Sequence, residues 1–167
     1  MALDIPSTLS ALLPRLMAFA RTLVGNPDTA RDMVQEAIAR ALGARRVPED
    51  AAAYRAWMFK IVRNAALDEL RRKRIVPIEQ DPAVDLWRFD NACIAKITVE
   101  QGLAGIAAPH REIIALIDIA GFSYAEAAAT LDVPIGTVMS RVTRARMALL
   151  AAIEASSVRP LKASQGK

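Results

Sequence analysis

Apolar residues recur three and four positions apart along most of this chain, in stretches separated by Gly and Pro. This spacing places the apolar side chains on one face of an α-helix, so it predicts a succession of amphipathic helices. Alanine, the residue with the highest helix propensity, accounts for 33 of the 167 residues, whereas aromatic residues make up only 5%. We therefore expect an all-α protein and exclude an all-β fold.

The breaks divide the predicted helices into two groups. Three helices precede residue 75: one follows Pro6 and the stretch Ser7 to Ser10 and ends at Gly25, one spans about 27–42 and begins after Asn26, and one follows the loop 43–50. An acidic stretch with Pro77 and Pro82 comes next. Four further helices are predicted over about 89–106, 110–120, 124–131 and 136–155. The prediction is a three-helix domain over 8–74, a flexible linker over 75–88, a four-helix domain over 89–156 and a flexible tail over 157–167.

The formal net charge of +4 conceals a segregation of charge along the chain. Residues 40–74 carry a net charge of +6 and residues 134–167 carry +5. Residues 75–100 and 101–133 carry −3 each, and residues 1–39 carry −1. Two basic blocks on either side of an acidic middle allow a polyanion such as nucleic acid to be met at two separate places.

Several function classes are excluded by what the chain lacks. One Cys and one His leave no disulfide framework, no Cys-rich zinc site and little scope for His-based acid–base catalysis. No apolar run approaches the roughly 20 residues needed to cross a bilayer, and the N-terminus has no basic flank typical of a signal peptide. We expect a cytoplasmic protein that is not an enzyme, with no catalytic residues, no cofactor and no metal.

The most specific local signal lies between residues 123 and 155. Ser123 and Glu126 match a capping box, and a tight turn then leads into a second helix with Val138, Val142 and Ala145 on its apolar face. Two short helices joined in this way, the second of them basic, form the helix-turn-helix pattern. The side chains of the second helix that could bond to phosphates or base edges of duplex DNA are Thr137, Ser140, Arg141, Thr143, Arg144 and Arg146.

The alternative to DNA binding is that this helix forms an ordinary exposed surface whose arginines are only hydrated. It is disfavoured because no carboxylate lies between Asp132 and Glu154 to pair with the arginines.

The first basic block has a different character. Arg45 and Arg46 lie in a loop, and the helix that follows carries Tyr54, Trp57 and Phe59. A basic loop beside aromatic residues suits unstacked, single-stranded bases better than an intact duplex. The helical spacing favours a core position for Trp57, while Tyr54 and Phe59 remain open between core and surface.

The second helix presents a third kind of surface. Asp32, Gln35 and Glu36 share one face, with Arg40 one turn beyond Glu36. On the residues alone, this pattern indicates a solvated face with an i, i+4 Glu–Arg pair.

Two stretches together resemble a known family, the extracytoplasmic-function (ECF) sigma factors, which are the smallest specificity subunits of bacterial RNA polymerase. TLVGNPDTARDMVQEAIARAL, followed by YRAWMFKIVRNAALDELRRKR, is similar to sigma region 2. PHREIIALIDIAGFSYAEAAATLDVPIGTVMSRVTRARMALL is similar to sigma region 4. Together the two stretches cover more than half of the 167 residues.

The resemblance implies partners and roles for the three surfaces. The DMVQE face would dock on the clamp helices of the β′ subunit of the RNA polymerase core, and promoter DNA would be melted at its −10 element and recognised as duplex at its −35 element. An anti-sigma factor that wedges between or wraps the two domains is also implied. The implied core-binding residues are Asp32, Gln35, Glu36 and Arg40; the −10 residues are Arg45, Arg46, Tyr54, Lys60, Arg63, Asn64 and Arg71; the −35 residues are Thr137, Met139, Ser140, Arg141, Thr143, Arg144 and Arg146.

The chain departs from the family pattern at two positions. Met139 stands where the family commonly has Lys or Arg, which removes one expected phosphate or base contact and points to an unusual −35 preference. Ala108 replaces the usual Leu before Pro109.

Two other functions remain open at this point. A sigma mimic would sequester an anti-sigma factor without binding DNA, but its DNA-facing motifs should then be degraded, whereas GTVMSR and RVTRAR are intact. A plain two-domain DNA-binding repressor would not need the DMVQE face.

Overall fold

The computed structural model describes residues 4–75 and 91–157. These residues confirm the all-α prediction: they are helical apart from short turns, and no β-strand occurs among them. The predicted linker, apart from residue 75, and the predicted tail, apart from residue 157, lie outside the described residues. The helices are α1 (Ile5–Val24), α2 (Pro27–Leu42), α3 (Ala51–Ile75), α4 (Asn91–Gly105), α5 (Ala108–Ile114), α6 (Tyr124–Leu131) and α7 (Ile135–Ser157).

Local capping signals set the boundary between α1 and α2. Gly25 ends α1 with a φ of 75°, a left-handed conformation that glycine adopts without steric cost. Asn26 then accepts the backbone N–H of Thr29 at 2.9 Å, as predicted. The start of α1 differs from the prediction: the helix begins before the serine-rich stretch, because Asp4 caps it and Pro6 fits its first turn.

The first three helices pack into a small bundle. Asp50 caps α3 by accepting the backbone N–H of Ala53 at 2.8 Å. Inside the bundle, the rings of Phe19 and Phe59 meet edge to face, with centroids 5.2 Å apart. The other large side chains that are fully buried here are Leu16, Val34, Tyr54, Met58 and Val62.

The helix predicted over 110–120 begins at Ala108, and its hydrogen bonding changes halfway. The backbone N–H of Ala120 donates to the carbonyl oxygen of Ala115, which is the wide spacing of a π-helix, and this π segment spans Ala115–Ile119. Gly121, with a φ of 70°, then reverses the chain direction. The reversal brings Phe122 into the core, where it is buried.

The predicted helix-turn-helix is confirmed. Ser123 Oγ accepts the backbone N–H of Glu126 at 3.2 Å, and Glu126 Oε2 accepts the backbone N–H of Ser123 at 2.7 Å. The hydrogen bond that the Ser123 backbone N–H donates to the carboxylate is the main cause that lowers the pKa of Glu126, and the Ser123 side chain and the nearby Arg55 lower it further. At its other end α6 stops at Asp132, whose φ of 54° makes the tight turn into α7.

The last helix is anchored on α4 and α5. Val138 and Val142 are buried on the core face of α7, against a core that includes Ile113 and Leu116. At the far end of α7 the contact with α4 is tight: a Cβ on Gly102 would lie 2.8 Å from Ile153 Cγ1 and 3.0 Å from Leu149 Cδ1, so these side chains would have to shift to admit it.

The capping box gives a test of local stability. Ser123→Ala removes the hydroxyl that caps α6, so we expect the free energy of unfolding to fall by about 1 kcal/mol. Urea denaturation measures this loss. Ser10→Ala, at an exposed position inside α1, is the control and should cause no loss. Equal stability of the Ser123 variant and the parent protein would contradict the capping role.

Candidate nucleic-acid and polymerase interfaces

The four core-binding candidates lie exposed along α2. Glu36 and Arg40 form the predicted i, i+4 pair, with Arg40 Nε donating to Glu36 Oε1 at 2.8 Å. Asp32, Glu36 and Arg40 also line one wall of a groove of about 610 Å³, whereas Gln35 does not line it. The opposite wall is formed by α3, with Asp68, Glu69 and Arg72. The groove therefore holds four carboxylates and two guanidinium groups, and it suits a basic partner.

Sequence reasoning did not identify the α3 wall of this groove. Asp68 and Glu69 are adjacent in sequence, so their side chains diverge on a helix and do not form a catalytic pair. Nothing in their spacing connects them with α2. Only the packing of α2 against α3 brings both sets of acids to one groove.

Five of the seven −10 candidates are exposed. Arg45 and Arg46 lie in the loop between α2 and α3, and Lys60, Asn64 and Arg71 project from α3. Lys60 and Asn64 are one helical turn apart and share one face. Arg71 is held loosely by Asp68, at 3.4 Å.

Tyr54 requires a correction, since it was one of the predicted −10 contacts. Its side chain is 1% exposed and packs in the core of the first bundle, as Phe59 does. Burial raises the pKa of the Tyr54 phenol. Its ring lies beside Trp57, with centroids 5.8 Å apart, and presents no open face on which a base could stack. The aromatic residues of α3 therefore belong to the core: Tyr54 and Phe59 are buried in it, and Trp57 packs against it.

Arg63, the remaining −10 candidate, contacts the second domain. Its Nε donates to Glu112 Oε1 of α5 at 2.6 Å, and both side chains are largely buried. The structure therefore separates Arg63 from its predicted neighbours: Lys60 and Asn64 face outward, while Arg63 is paired across the domains.

Arg55 of α3 contacts the second domain through several groups. Its Nη2 donates to the carbonyl oxygens of Ala120 and Gly121 at 2.9 and 2.8 Å. Its guanidinium carbon lies 4.3 Å from the centroid of the Phe122 ring, which is a cation–π contact, and its Nη1 lies 3.4 Å from Glu126 Oε1. One arginine thus binds a turn, an aromatic ring and a carboxylate of the second domain.

Further contacts join α1 to the second domain. Arg111 Nη1 donates to the carbonyl oxygen of Leu23 at 3.2 Å, and burial lowers the pKa of Arg111. Arg21 pairs with Glu100 at 2.9 Å. We call this arrangement, in which α1 and α3 contact the second domain, the closed arrangement.

The −35 candidates lie along the first half of α7. Met139, Ser140, Thr143, Arg144 and Arg146 are exposed, while Thr137 and Arg141 are half-buried.

Two of these arginines have contacts of their own. Arg144 folds back along the helix, donating from Nη2 to Ser140 Oγ at 3.3 Å. Arg146 instead pairs with Asp118, whose hydrogen bond raises the pKa of Arg146. The helix therefore presents hydroxyl, guanidinium and thioether groups together, with Arg146 directed toward its own domain.

The described ranges, 4–75 and 91–157, show no metal cluster and no membrane-spanning helix. They contain no group of three or more His, Cys, Asp or Glu side chains placed to hold a metal ion, and none of their helices is both long and apolar enough to span a membrane.

The first domain thus carries an acidic groove and the second a basic helix-turn-helix. Both domains match family models. Residues 9–75 match the model of Sigma-70 region 2, and residues 99–149 match that of Sigma-70, region 4.

Characterised relatives extend the match over most of the chain. The ECF RNA polymerase sigma factor EcfG of Rhodopseudomonas palustris is 34% identical over 145 residues, which cover 84% of this chain and 80% of that protein. The ECF RNA polymerase sigma factor SigL of Mycobacterium tuberculosis is 33% identical, covering 80% of each. This chain belongs to the ECF RNA polymerase sigma factors.

Solved structures show the same fold. The sigma factor RpoE of Bartonella quintana, in complex with the anti-sigma factor NepR, superposes with a TM-score of 0.74 at 33% identity, over 90% of this chain and 97% of that one. CnrH, in complex with the cytosolic domain of CnrY, superposes with a TM-score of 0.63 at 27% identity, over 90% and 87%.

Proposed function

We propose that this protein binds the RNA polymerase core in the cytoplasm and directs it to promoters by recognising the −35 element and melting the −10 element. The observation that carries the proposal is the separation of three exposed surfaces: the acidic groove between α2 and α3, the basic loop with Lys60 and Asn64, and the basic first half of α7. Each surface suits a different partner, and family membership supports all three.

The acidic groove is the proposed docking site for the polymerase core. A helix of the β′ clamp that carries basic residues would find Asp32 and Glu36 on one wall and Asp68 and Glu69 on the other. Arg40 and Arg72, which also line the groove, would limit the partners to those with matching carboxylates.

The two basic surfaces are proposed to act together on promoter DNA. Each supplies a salt-dependent affinity for phosphates, and neither needs to bind tightly by itself. Once one surface has bound, the other binds as an intramolecular partner at high effective concentration, provided that their separation matches the spacing of the promoter elements. The polymerase core would set that separation.

The closed arrangement supports weak DNA binding by the free protein. Arg63 is paired with Glu112, so a −10 strand would have to displace a carboxylate before it reached this arginine. Docking on the core, which places the two domains on separate sites, would release the pair.

An anti-sigma factor is the proposed regulator. The closed arrangement contains a cleft of about 750 Å³ between the two domains, with Met17, Leu103 and Ile119 among its apolar lining residues and Arg21, Arg31 and Glu100 among its charged ones. An amphipathic helix fits these two kinds of lining. The solved complexes of related sigma factors with anti-sigma factors support a partner of this class.

Single-round transcription with purified core polymerase separates the proposal from a sigma mimic and from a repressor. Promoter-specific transcripts that depend on this protein are expected. A mimic or a repressor would produce none.

The acidic groove is tested by charge reversal. Asp32→Arg together with Glu36→Arg places two cations in the groove, so we expect binding to the core polymerase to be lost in gel filtration. The matched control is Asp28→Arg together with Glu154→Arg, two exposed positions outside the groove with the same change in net charge. Normal holoenzyme formation by the groove variant would refute the assignment.

The duplex-reading role of α7 is tested at Arg144. If Arg144 contacts a base through two hydrogen bonds, Arg144→Ala weakens binding to a −35 duplex by ~1–3 kcal/mol. Fluorescence anisotropy at fixed salt measures the loss. Arg31→Ala, an exposed arginine of the first domain with the same charge change, should leave duplex binding nearly unchanged. Equal losses in both variants would show a charge effect only.

The closed arrangement is tested at Glu112. Glu112→Arg sets two cations against each other at the domain contact, so the free protein should open and bind a single-stranded −10 oligonucleotide several-fold more tightly, because the apparent Kd is the intrinsic Kd divided by the open fraction. Its radius of gyration by X-ray scattering should also rise. Glu154→Arg adds the same charge elsewhere, and an equal gain there would argue against the closed arrangement.

A further inference from the structure

Two large apolar side chains stand exposed at the start of the recognition helix α7. Ile135 is 50% exposed and Met139, one turn later, is 53% exposed. Residues four apart on a helix lie on the same side, so the two side chains form a short apolar strip. The strip is not part of the core face of α7, which is formed by Val138, Val142 and Ala145.

The surroundings of this strip suit duplex DNA. Ser140, Thr143 and Arg144 are exposed beside Met139 and offer hydroxyl and guanidinium groups. No carboxylate lies between Asp132 and Glu154 in the sequence, so this part of the helix carries no like charge that would repel phosphates. If this surface binds phosphates, its apolar strip would be matched by an apolar group on the same polyanion.

The major groove of DNA offers one such group, the C5 methyl of thymine. The first residues of a recognition helix are the ones that reach the base edges. Methionine is unbranched and polarizable, so its side chain adapts to a methyl group without a fixed geometry. Ile135, at the first turn of the helix, would cover the other side of the same methyl.

We propose that Met139, supported by Ile135, reads thymine methyl groups in the −35 element. The proposal rests on the proposed recognition of that element by α7. It also assigns a direction to the unusual residue at position 139: Lys or Arg binds guanine O6 and N7, whereas methionine gives up this contact and favours a T·A pair at that position.

The test begins with the holoenzyme and a library of duplexes randomised at the −35 element, from which a preferred sequence is selected. Each thymine of the selected sequence is then replaced by deoxyuridine, which removes only the methyl group. At one or two positions we expect affinity to fall about fourfold, the factor that corresponds to burying one methyl-sized group. Replacement at the other thymines should have no effect.

Met139→Lys should abolish this sensitivity to the methyl group and shift selection from T·A to G·C at the same position. Met147→Lys is the control: Met147 is exposed two turns further along α7 and the variant carries the same charge, so it should keep the sensitivity. Affinity that is indifferent to deoxyuridine at every position, or a loss that persists in the Met139 variant, would overturn the proposal. Failure to select any −35 sequence would instead refute the function on which it rests.

Discussion

Arg55 joins the two domains through several chemical groups at once. Its guanidinium group lies on the Phe122 ring and donates to two backbone carbonyl oxygens in the turn that precedes the helix-turn-helix. That turn exists because the π segment widens the end of the preceding helix and Gly121 reverses the chain. The turn after the π segment in the second domain thus supplies the carbonyl oxygens that accept hydrogen bonds from Arg55 of the first domain. Arg63 of the same helix pairs with Glu112 of α5.

Oppositely charged segments of the chain form ion pairs with each other as well as charged surfaces. Glu112 and Glu126, which meet Arg63 and Arg55, both belong to the acidic segment 101–133. The acidic middle of the chain thus serves as a counter-ion for the first basic block when the protein is closed. If Arg63 contacts the −10 element as proposed, Glu112 competes with DNA phosphates for this arginine, which would link the domain arrangement to the affinity for nucleic acid.

Features that depend on neighbouring residues were predictable from the sequence, and features that depend on packing were not. The Asn26 cap, the stop at Gly25 and the Ser123–Glu126 capping box each involve residues at most three positions apart, so their spacing was sufficient. The start of α1 was misplaced because Pro6 and the serines after it resemble a helix boundary, although Asp4 is the residue that caps. Tyr54 and Arg63 share a helix with the exposed Lys60 and Asn64, and only the positions of α1, α2 and α5 decide which side chains are covered. The position of Asp68 and Glu69 in the groove was not predictable for the same reason, because it depends on how α3 packs against α2.

The close contact at Gly102 has a consequence for how this protein can diverge. Because α7 is 23 residues long, it spans about 34 Å, and it is seated on α4 near one end while Met139 and Ser140 lie near the other. A small displacement where Ile153 and Leu149 meet Gly102 is transmitted along a rigid rod and becomes a larger sideways movement at the opposite end. The alignment of the residues that we propose to read the −35 element would therefore depend on a contact at the far end of the same helix, so a methyl group added at residue 102 would be expected to change promoter preference without any change in those residues.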